Sequence, residues 1–448
     1  MSASLDNKYL AQQLGLPLDV GEIRAWRPIH YLGSKLRLVE SIREALLDLD
    51  PGVGSVCDLF AGSGTVALAL SKERNVVAAD IQEYSRVICT ALLKPTPFDN
   101  AMVQQLLTNI ELSCKRLEYC VEPILEFEQQ AIKNANTNPH LLCDLVEFGT
   151  LLSDQQSDDD LARALKETRS RMARVSESLM ATRYFGGVYF SYRQSLYIDC
   201  ALNAISELQP KMNETYLSAL LSMASAIVNS VGKQFAQPMR PRRKDGTVKR
   251  HLITQMCRDR GLDAGKIFFT WLRRNCEIRS CGSHRVLRGD YRDILPQLKD
   301  VSVIYADPPY TRDHYSRFYH VLETLCLRDW PKISTTSLTG NGPISRGLYR
   351  IGRHQSPFCI KSQAPIAFKE LFEGTRKLDV PLLVSYSPFI KNGHPRLMTV
   401  EAVSKMAAEY YRHIQISPVK PIVHSKLNKA ELHLNASNTA EVFIKCRP

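Results

Sequence analysis

The chain has 448 residues, 44% of them hydrophobic and 23% charged, an ordinary make-up for a soluble globular protein long enough for two or three domains. Its formal charge of +12 and pI near 9.1 favour a polyanionic partner, nucleic acid being the commonest. Twelve cysteines stand singly with no CxxC pair, and Cys276 and Cys281 lack partners at zinc spacing, so neither a disulfide framework nor a metal site is expected. No signal peptide and no apolar run of membrane-spanning length is read, which makes a cytoplasmic protein without membrane contact the expectation.

In chain order, residues 1–21 read as a peripheral segment. Tyr31-Leu32-Gly33-Ser34-Lys35 then leads into apolar residues at helical spacing, Leu36, Val39, Ile42, Leu46 and Leu47. A glycine turn and a lysine at a helix start suit a carboxylate or a phosphate. Ser55–Phe60 reads as a strand and Ala61-Gly62-Ser63-Gly64-Thr65 as a glycine turn. A helix follows from Val66, and then a second strand, Val76–Ala79, ends in Asp80. Small residues in the first turn admit a ligand to the backbone, and an acid at the second strand tip can accept from two ribose hydroxyls. The residue three after Gly64 is Ala67, so the GxGxxG spacing is incomplete and a mononucleoside fits better than a dinucleotide.

From about Thr96 to Ser283 the sequence is mostly helical in pattern, with an acidic link at 153–160 and aromatics around Gly186-Gly187. Arg240, Arg242, Arg243, Lys244, Lys249 and Arg250 flank a turn at Asp245-Gly246, either as a phosphate-contacting loop or as a solvated one. Val301–Tyr305 reads as a buried strand running into Ala306-Asp307-Pro308-Pro309-Tyr310. Two prolines cannot extend a central strand, so the chain leaves the sheet there. A carboxylate, a proline carbonyl and a phenol ring at a strand's carboxyl end suit an amino group on a flat ring. Asp307 and the Pro308 carbonyl each accept one N–H, and Tyr310 stacks. Beyond it, Arg312, Arg317 and nearby aromatics either line a pocket for an extruded base or pack inward along a helix. Residues 334–362 read as a long loop, 380–387 and 440–445 as later strands, and 424–433 as a polar hairpin or loop.

Tyr31–Lys35, DLFAGSGT at Asp58–Thr65, Asp80, Arg288-Gly289-Asp290-Tyr291 and DPPY at Asp307–Tyr310 resemble, in order, the motifs of the Dam-type family of DNA N6-adenine methyltransferases. The motifs cover about 30–95 and 284–330. The resemblance implies an α/β, Rossmann-like S-adenosylmethionine-dependent methyltransferase sheet with a largely helical inserted target-recognition domain. The expected catalytic parts are 1–95 and 284–448, flanking an insert at 96–283. It further implies that Tyr31 and Lys35 hold the methionine end of the cofactor. Asp58, Phe60, Ala61 and Gly62, with Ser63, Gly64 and Thr65, form the turn beneath it. Asp80 takes the ribose, Ile81 the adenine, and Asp290 beside Tyr291 the adenine amino group. Asp58 and Asp290 read equally well as a strand cap and a turn acid. The expected reaction is methyl transfer to adenine N6 of a flipped base in double-stranded DNA, in a restriction-modification or defence setting. Cytosine-N4 or RNA amino groups, or an inactive DNA-binding scaffold, are the alternatives. A cytosine-C5 mechanism needs a cysteine nucleophile, and the chain has no Pro-Cys pair.

Overall fold

A computed structural model describes residues 26–152, 159–336, 342–388, 397–419 and 441–448. The chain divides into two units, residues 1–95, 278–316 and 354–448 in the first and 96–277 with 317–353 in the second.

The first unit is built on seven strands: β1 Val56–Asp58, β2 Val76–Asp80, β3 Arg285–Arg288, β4 Val303–Ala306, β5 Leu382–Tyr386, β6 His413–Pro418 and β7 Val442–Arg447. Their order is β3-β2-β1-β4-β5-β7-β6. The first five are parallel, and β7 runs antiparallel to both β5 and β6. This is the expected Rossmann-like sheet. β1 and β4 are buried at every residue, as central parallel strands covered on both faces should be. Alternate side chains feed two cores. Cys57, Val77, Ile304, Leu382 and Ile444 meet the apolar side of the helix Ala364–Arg376 through Phe368, Leu371 and Phe372. Val56, Ala78, Val303, Tyr305 and Phe443 meet Ile42 and Leu46 from the helix Val39–Leu49. Strand order reverses between β1 and β4, which opens a crevice beyond their carboxyl ends.

The second unit is helical. Its longest helix, Asn100–Lys133, spans 34 residues and starts where Asp99 accepts from the Met102 N–H at 3.1 Å. It packs on Asp160–Met172 and Tyr192–Ser206, and Pro210–Ile227 packs on Ala264–Cys276. Glu128 is buried against Arg260, which also donates to the Gly187 carbonyl. Gly187, at φ +77°, leaves no room for a side chain, because a Cβ would lie 2.1 Å from the Gly149 oxygen. Tyr189 and Phe190 are fully buried beside this turn, so the aromatic Gly-Gly stretch is core.

Several boundaries differ from the sequence reading. The insert ends at 277 rather than 283, and 317–353 pack within the helical unit instead of continuing the catalytic part. Strands β3 and β6 and the helices Arg250–Arg260, Ala264–Cys276, Ala364–Arg376 and Val400–Ala407 were not anticipated. Residues 1–25, most of the acidic link (153–158), 337–341 of the long loop, and 424–433 lie outside the described residues. Asp159 caps the helix Asp160–Met172, accepting from the Ala162 N–H at 2.8 Å. No helix among the described residues is long and apolar enough to cross a membrane.

Candidate active site

The ends of β1, β2, β3 and β4 converge on a cleft of about 810 Å³ of open space. Eight expected residues line it: Tyr31, Phe60, Asp80, Ile81, Asp290, Tyr291, Asp307 and Pro309. At the tip of β2, Asp80 Oδ2 accepts from the Gly62 N–H at 2.9 Å and Oδ1 from the Gln82 N–H at 2.8 Å. Burial raises its pKa, opposed by those backbone donors. The acid therefore ties the glycine turn to the neighbouring strand. Gly62 is at φ +53°, and a Cβ there would lie 2.4 Å from the Tyr31 hydroxyl, so only glycine lets Tyr31 cover this turn. Tyr31 is held in turn by Tyr315, whose ring is 5.5 Å away and whose hydroxyl donates to the Leu32 carbonyl at 3.1 Å.

The rest of the glycine turn lies behind the cleft. Ser63 and Thr65 are buried, share a hydrogen bond at 2.9 Å, and Thr65 donates to the Trp26 carbonyl. They build the turn and do not line the cleft, nor do Ala61, Gly64 and Asp58. Asp58 is buried at the end of β1. Burial first, then the charges of Asp307 and Asp80, push its carboxyl up to about 8, so it holds a proton at neutral pH.

Asp307 follows β4 and carries the cleft's central charge. Lys35 Nζ lies 3.0 Å from Asp307 Oδ1 and 3.3 Å from Glu441 Oε1. Glu441 is buried and also accepts from Ser385 Oγ at 2.9 Å. Burial pushes Asp307 up to about 6; the Lys35 ammonium pulls it down and Glu441 pushes it further up. Lys35 is buried too. Burial would lower its pKa, but Asp307 and Glu441 hold it well above the usual lysine value. One ammonium thus serves two carboxylates. The Lys35 ammonium, expected to meet a ligand's carboxylate, is paired here with two carboxylates of the protein. The Tyr310 ring is half-buried, 5.2 Å from Tyr386, with Lys35 Nζ 5.6 Å from its centroid. Pro308 is buried.

Asp290 caps a short helix by accepting from the Arg292 N–H at 3.0 Å and pairs with that residue's guanidinium. Burial would raise its pKa, but the Arg292 side chain and N–H lower it, so it faces the cleft as a carboxylate. Tyr291 donates to Glu370 at 3.0 Å, and its ring lies 5.3 Å from Phe358. Phe358 meets Phe60 edge-on at 5.6 Å, giving the cleft an aromatic wall. His354, Ser356 and Pro357 complete that side. These residues fall in the stretch expected to be a loop, and no local pattern marks them. Glu441 was missed for the same reason, although an acid one residue before an apolar strand is a visible signal.

The basic hairpin lies in the helical unit. Arg243 N–H donates to the Thr247 carbonyl at 2.9 Å, Gly246 turns at φ +85°, and Arg242 bridges Val248. Arg240, Arg243, Lys244 and Arg250 are exposed, while Lys249 is half-buried with its ammonium on the Arg240 carbonyl. Arg250 also reaches the Asn136 carbonyl at 2.9 Å. Arg242 departs from the expectation. Its guanidinium is held by Asp144 at 2.7 Å and Glu147 at 2.6 Å, which anchors the hairpin and leaves it no charge for a phosphate. Beyond the tyrosine tip the two alternatives divide. Arg312 is exposed and Tyr315 lines the cleft, whereas Tyr319 and His320 are buried in the helical unit. Arg317 is exposed there.

Residues 31–138 match the family model for D12 class N6 adenine-specific DNA methyltransferases. The chain is 23% identical over 360 residues to Type II methyltransferase M.FokI of Planomicrobium okeanokoites, a match covering 80% of this chain and 44% of that protein. It is 38% identical over 85 residues to Modification methylase LlaI of Lactococcus lactis subsp. lactis, covering 19% of this chain and 12% of that protein. The matches therefore span less than half the length of either relative. Sheet order, strand-end motifs and these similarities agree in likening residues 31–138 to the D12 class N6 adenine-specific DNA methyltransferases.

Proposed function

We propose that this chain transfers a methyl group from S-adenosylmethionine to the N6 amino group of adenine in double-stranded DNA, acting on a base turned out of the duplex. The observation that carries the reading is Asp307: a carboxylate at the strand-order reversal, inside the cleft, followed by two prolines and Tyr310. The cleft's chemistry fits the cofactor. Asp80 and Asp290 suit a ligand bearing cationic charge, and Tyr31, Phe60, Tyr291 and Phe358 suit a purine ring and a sulfonium. Tyr31, Phe60, Asp80, Ile81, Asp290 and Tyr291 would hold it, with Asp80 accepting from the ribose hydroxyls. When bound, the cofactor supplies an electrophilic methyl group.

The protein's share of the chemistry is orientation and charge. An adenine amino lone pair is delocalised into the ring and is a weak nucleophile. Acceptance of its two protons by Asp307 and the Pro308 carbonyl localises that pair, and the attraction grows as the nitrogen becomes cationic. Lys35 alone would neutralise Asp307. Glu441 shares the ammonium, so the buried group keeps one net negative charge beside the reacting nitrogen. Tyr310 offers a face for stacking the extruded base, whose removal from the duplex costs a few kcal/mol.

The printed names of the two relatives, a type II methyltransferase and a modification methylase, support a restriction-modification setting. The test is a calorimetric titration with S-adenosylmethionine and S-adenosylhomocysteine, followed by radiolabel transfer to duplex DNA and to an RNA hairpin. Binding of both cofactor forms with label in the duplex is expected. No binding of either form overturns the reading, and label in the hairpin alone moves the acceptor to RNA.

A further inference from the structure

In the helical unit several buried or half-buried guanidiniums are matched by acids: Arg242 by Asp144 and Glu147, Arg260 by Glu128, Arg350 by Asp329. Half-buried Arg353 and its exposed neighbour Arg317 instead share one aromatic ring. The Arg317 guanidinium carbon lies 4.9 Å from the Tyr349 ring centroid and that of Arg353 lies 5.1 Å from it. Arg317 donates to the Tyr349 hydroxyl at 3.1 Å, and Arg353 Nε donates to the Arg350 carbonyl at 3.0 Å. Among the described residues neither has a carboxylate partner.

The platform between them is fixed. The Tyr349 hydroxyl donates to the Ala236 carbonyl, and its ring meets buried His320 edge-on at 5.2 Å. His320 brings no charge, since burial first and then Arg353, Arg350 and Arg317 push its pKa down to about 3. Burial and the Arg317 charge together lower the pKa of Arg353. Two like charges are therefore held near one ring, at most the sum of those two distances apart, about 10 Å. Attraction of each cation to the ring offsets part of that repulsion, and an anion would remove the rest.

We propose that Arg317 and Arg353, mounted on Tyr349, form a binding site for the phosphodiester backbone of DNA. Phosphates recur about every 3.4 Å of helix axis along one strand, so a pair spaced within this span engages one phosphate or two near neighbours. The planar guanidinium suits phosphate oxygens in a way a lysine would not. This rests on the DNA reading above, yet its readout is binding alone.

The experiment measures the affinity of the full chain for a fluorescent duplex of arbitrary sequence between low and moderate salt. The double variant Arg317→Gln/Arg353→Gln is compared with wild type, alongside its melting curve and its titration with S-adenosylhomocysteine. The expected result is a plot of log affinity against log salt that is shallower by about 0.9 for each phosphate no longer neutralised, with cofactor affinity kept. Tyr349→Leu should flatten the slope as well, and Tyr349→Phe, which keeps the ring, should leave it steep. A folded double variant with the wild-type slope overturns the site and leaves the methyltransferase reading standing. A wild-type protein that binds cofactor but no duplex overturns both the site and the DNA reading. Should the double variant not fold, Arg317→Gln alone, an exposed change, carries the same comparison.

Discussion

The two units treat charge in opposite ways. The sheet unit gathers carboxyls at its strand ends, Asp58, Asp80, Asp307 and Glu441, of which Asp307 and Glu441 share one buried lysine. The helical unit commits several buried guanidiniums to acids, while Arg317 and Arg353 share the Tyr349 ring with no carboxylate partner among the described residues. The difference teaches that net charge says little about where a ligand binds. At the strand ends of the first unit the local surplus is negative and buried, where the surroundings amplify it. On the second, exposed Arg240, Arg243, Lys244, Arg250 and Arg317 are positive. A cationic cofactor suits the one and a polyanion the other.

The largest way to break this comparison is at the acid tip. Asp307→Ala should fold and keep cofactor affinity, while methyl transfer drops by at least about 100-fold, the usual cost of losing a preorganised electrostatic partner. Calorimetry and label incorporation on the same sample check it, and near wild-type transfer would reduce Asp307 to a turn residue. Next comes Gly62→Ala. Its positive φ and the Tyr31 hydroxyl 2.4 Å from the new Cβ mean that Tyr31 must leave the turn. Strain of about 1–3 kcal/mol then weakens cofactor binding by roughly tenfold or more, read by titration.

Glu441→Gln sharpens the picture. Without the second carboxylate Lys35 pairs with Asp307 alone, and the turnover rate should fall about tenfold, the equivalent of some 1.4 kcal/mol. Glu441 also holds the Asp307 pKa up, so its removal lets that pKa fall. Asp307 must be ionised to accept the amino protons, hence wild type loses activity as pH drops through about 6. In the variant that acid limb moves to lower pH. A limb that stays put or moves upward in a pH-rate profile contradicts the charge-sharing role.

The smallest effects separate structural from ligand-binding arginines on one hairpin. Arg242→Ala should cost about 1–3 kcal/mol of stability, because Asp144 and Glu147 lose their partner, and should leave the salt slope of DNA binding alone. Arg243→Ala should do the reverse, flattening the slope by about 0.9 at unchanged stability. Denaturation midpoints and anisotropy titrations on both variants distinguish the two roles.

What the sequence made legible follows from how local the chemistry is. Asp58–Thr65, Asp80 and Asp307–Tyr310 are each a strand end with its turn, so their type and order suffice to place them on one sheet edge. Glu441 and the 354–358 wall reach the same cleft by long chain returns, which leave no spacing to read. Arg242 misled for a related reason: its acids lie about a hundred residues away in the chain, and a basic run looks the same whether or not it is neutralised. Strand β3 is short and half-exposed, with arginine at both ends, so it lacks the apolar signature that marked β4.

The central claim is that the Asp307–Tyr310 tip accepts the amino group of adenine, and the product tests it most directly. Duplex DNA incubated with the protein and isotopically methyl-labelled S-adenosylmethionine is digested to nucleosides and resolved by mass spectrometry. The account expects labelled N6-methyldeoxyadenosine, abolished in Asp307→Ala. Label found only in methylated cytosine, or transfer to adenine that persists without the Asp307 carboxylate, would contradict it.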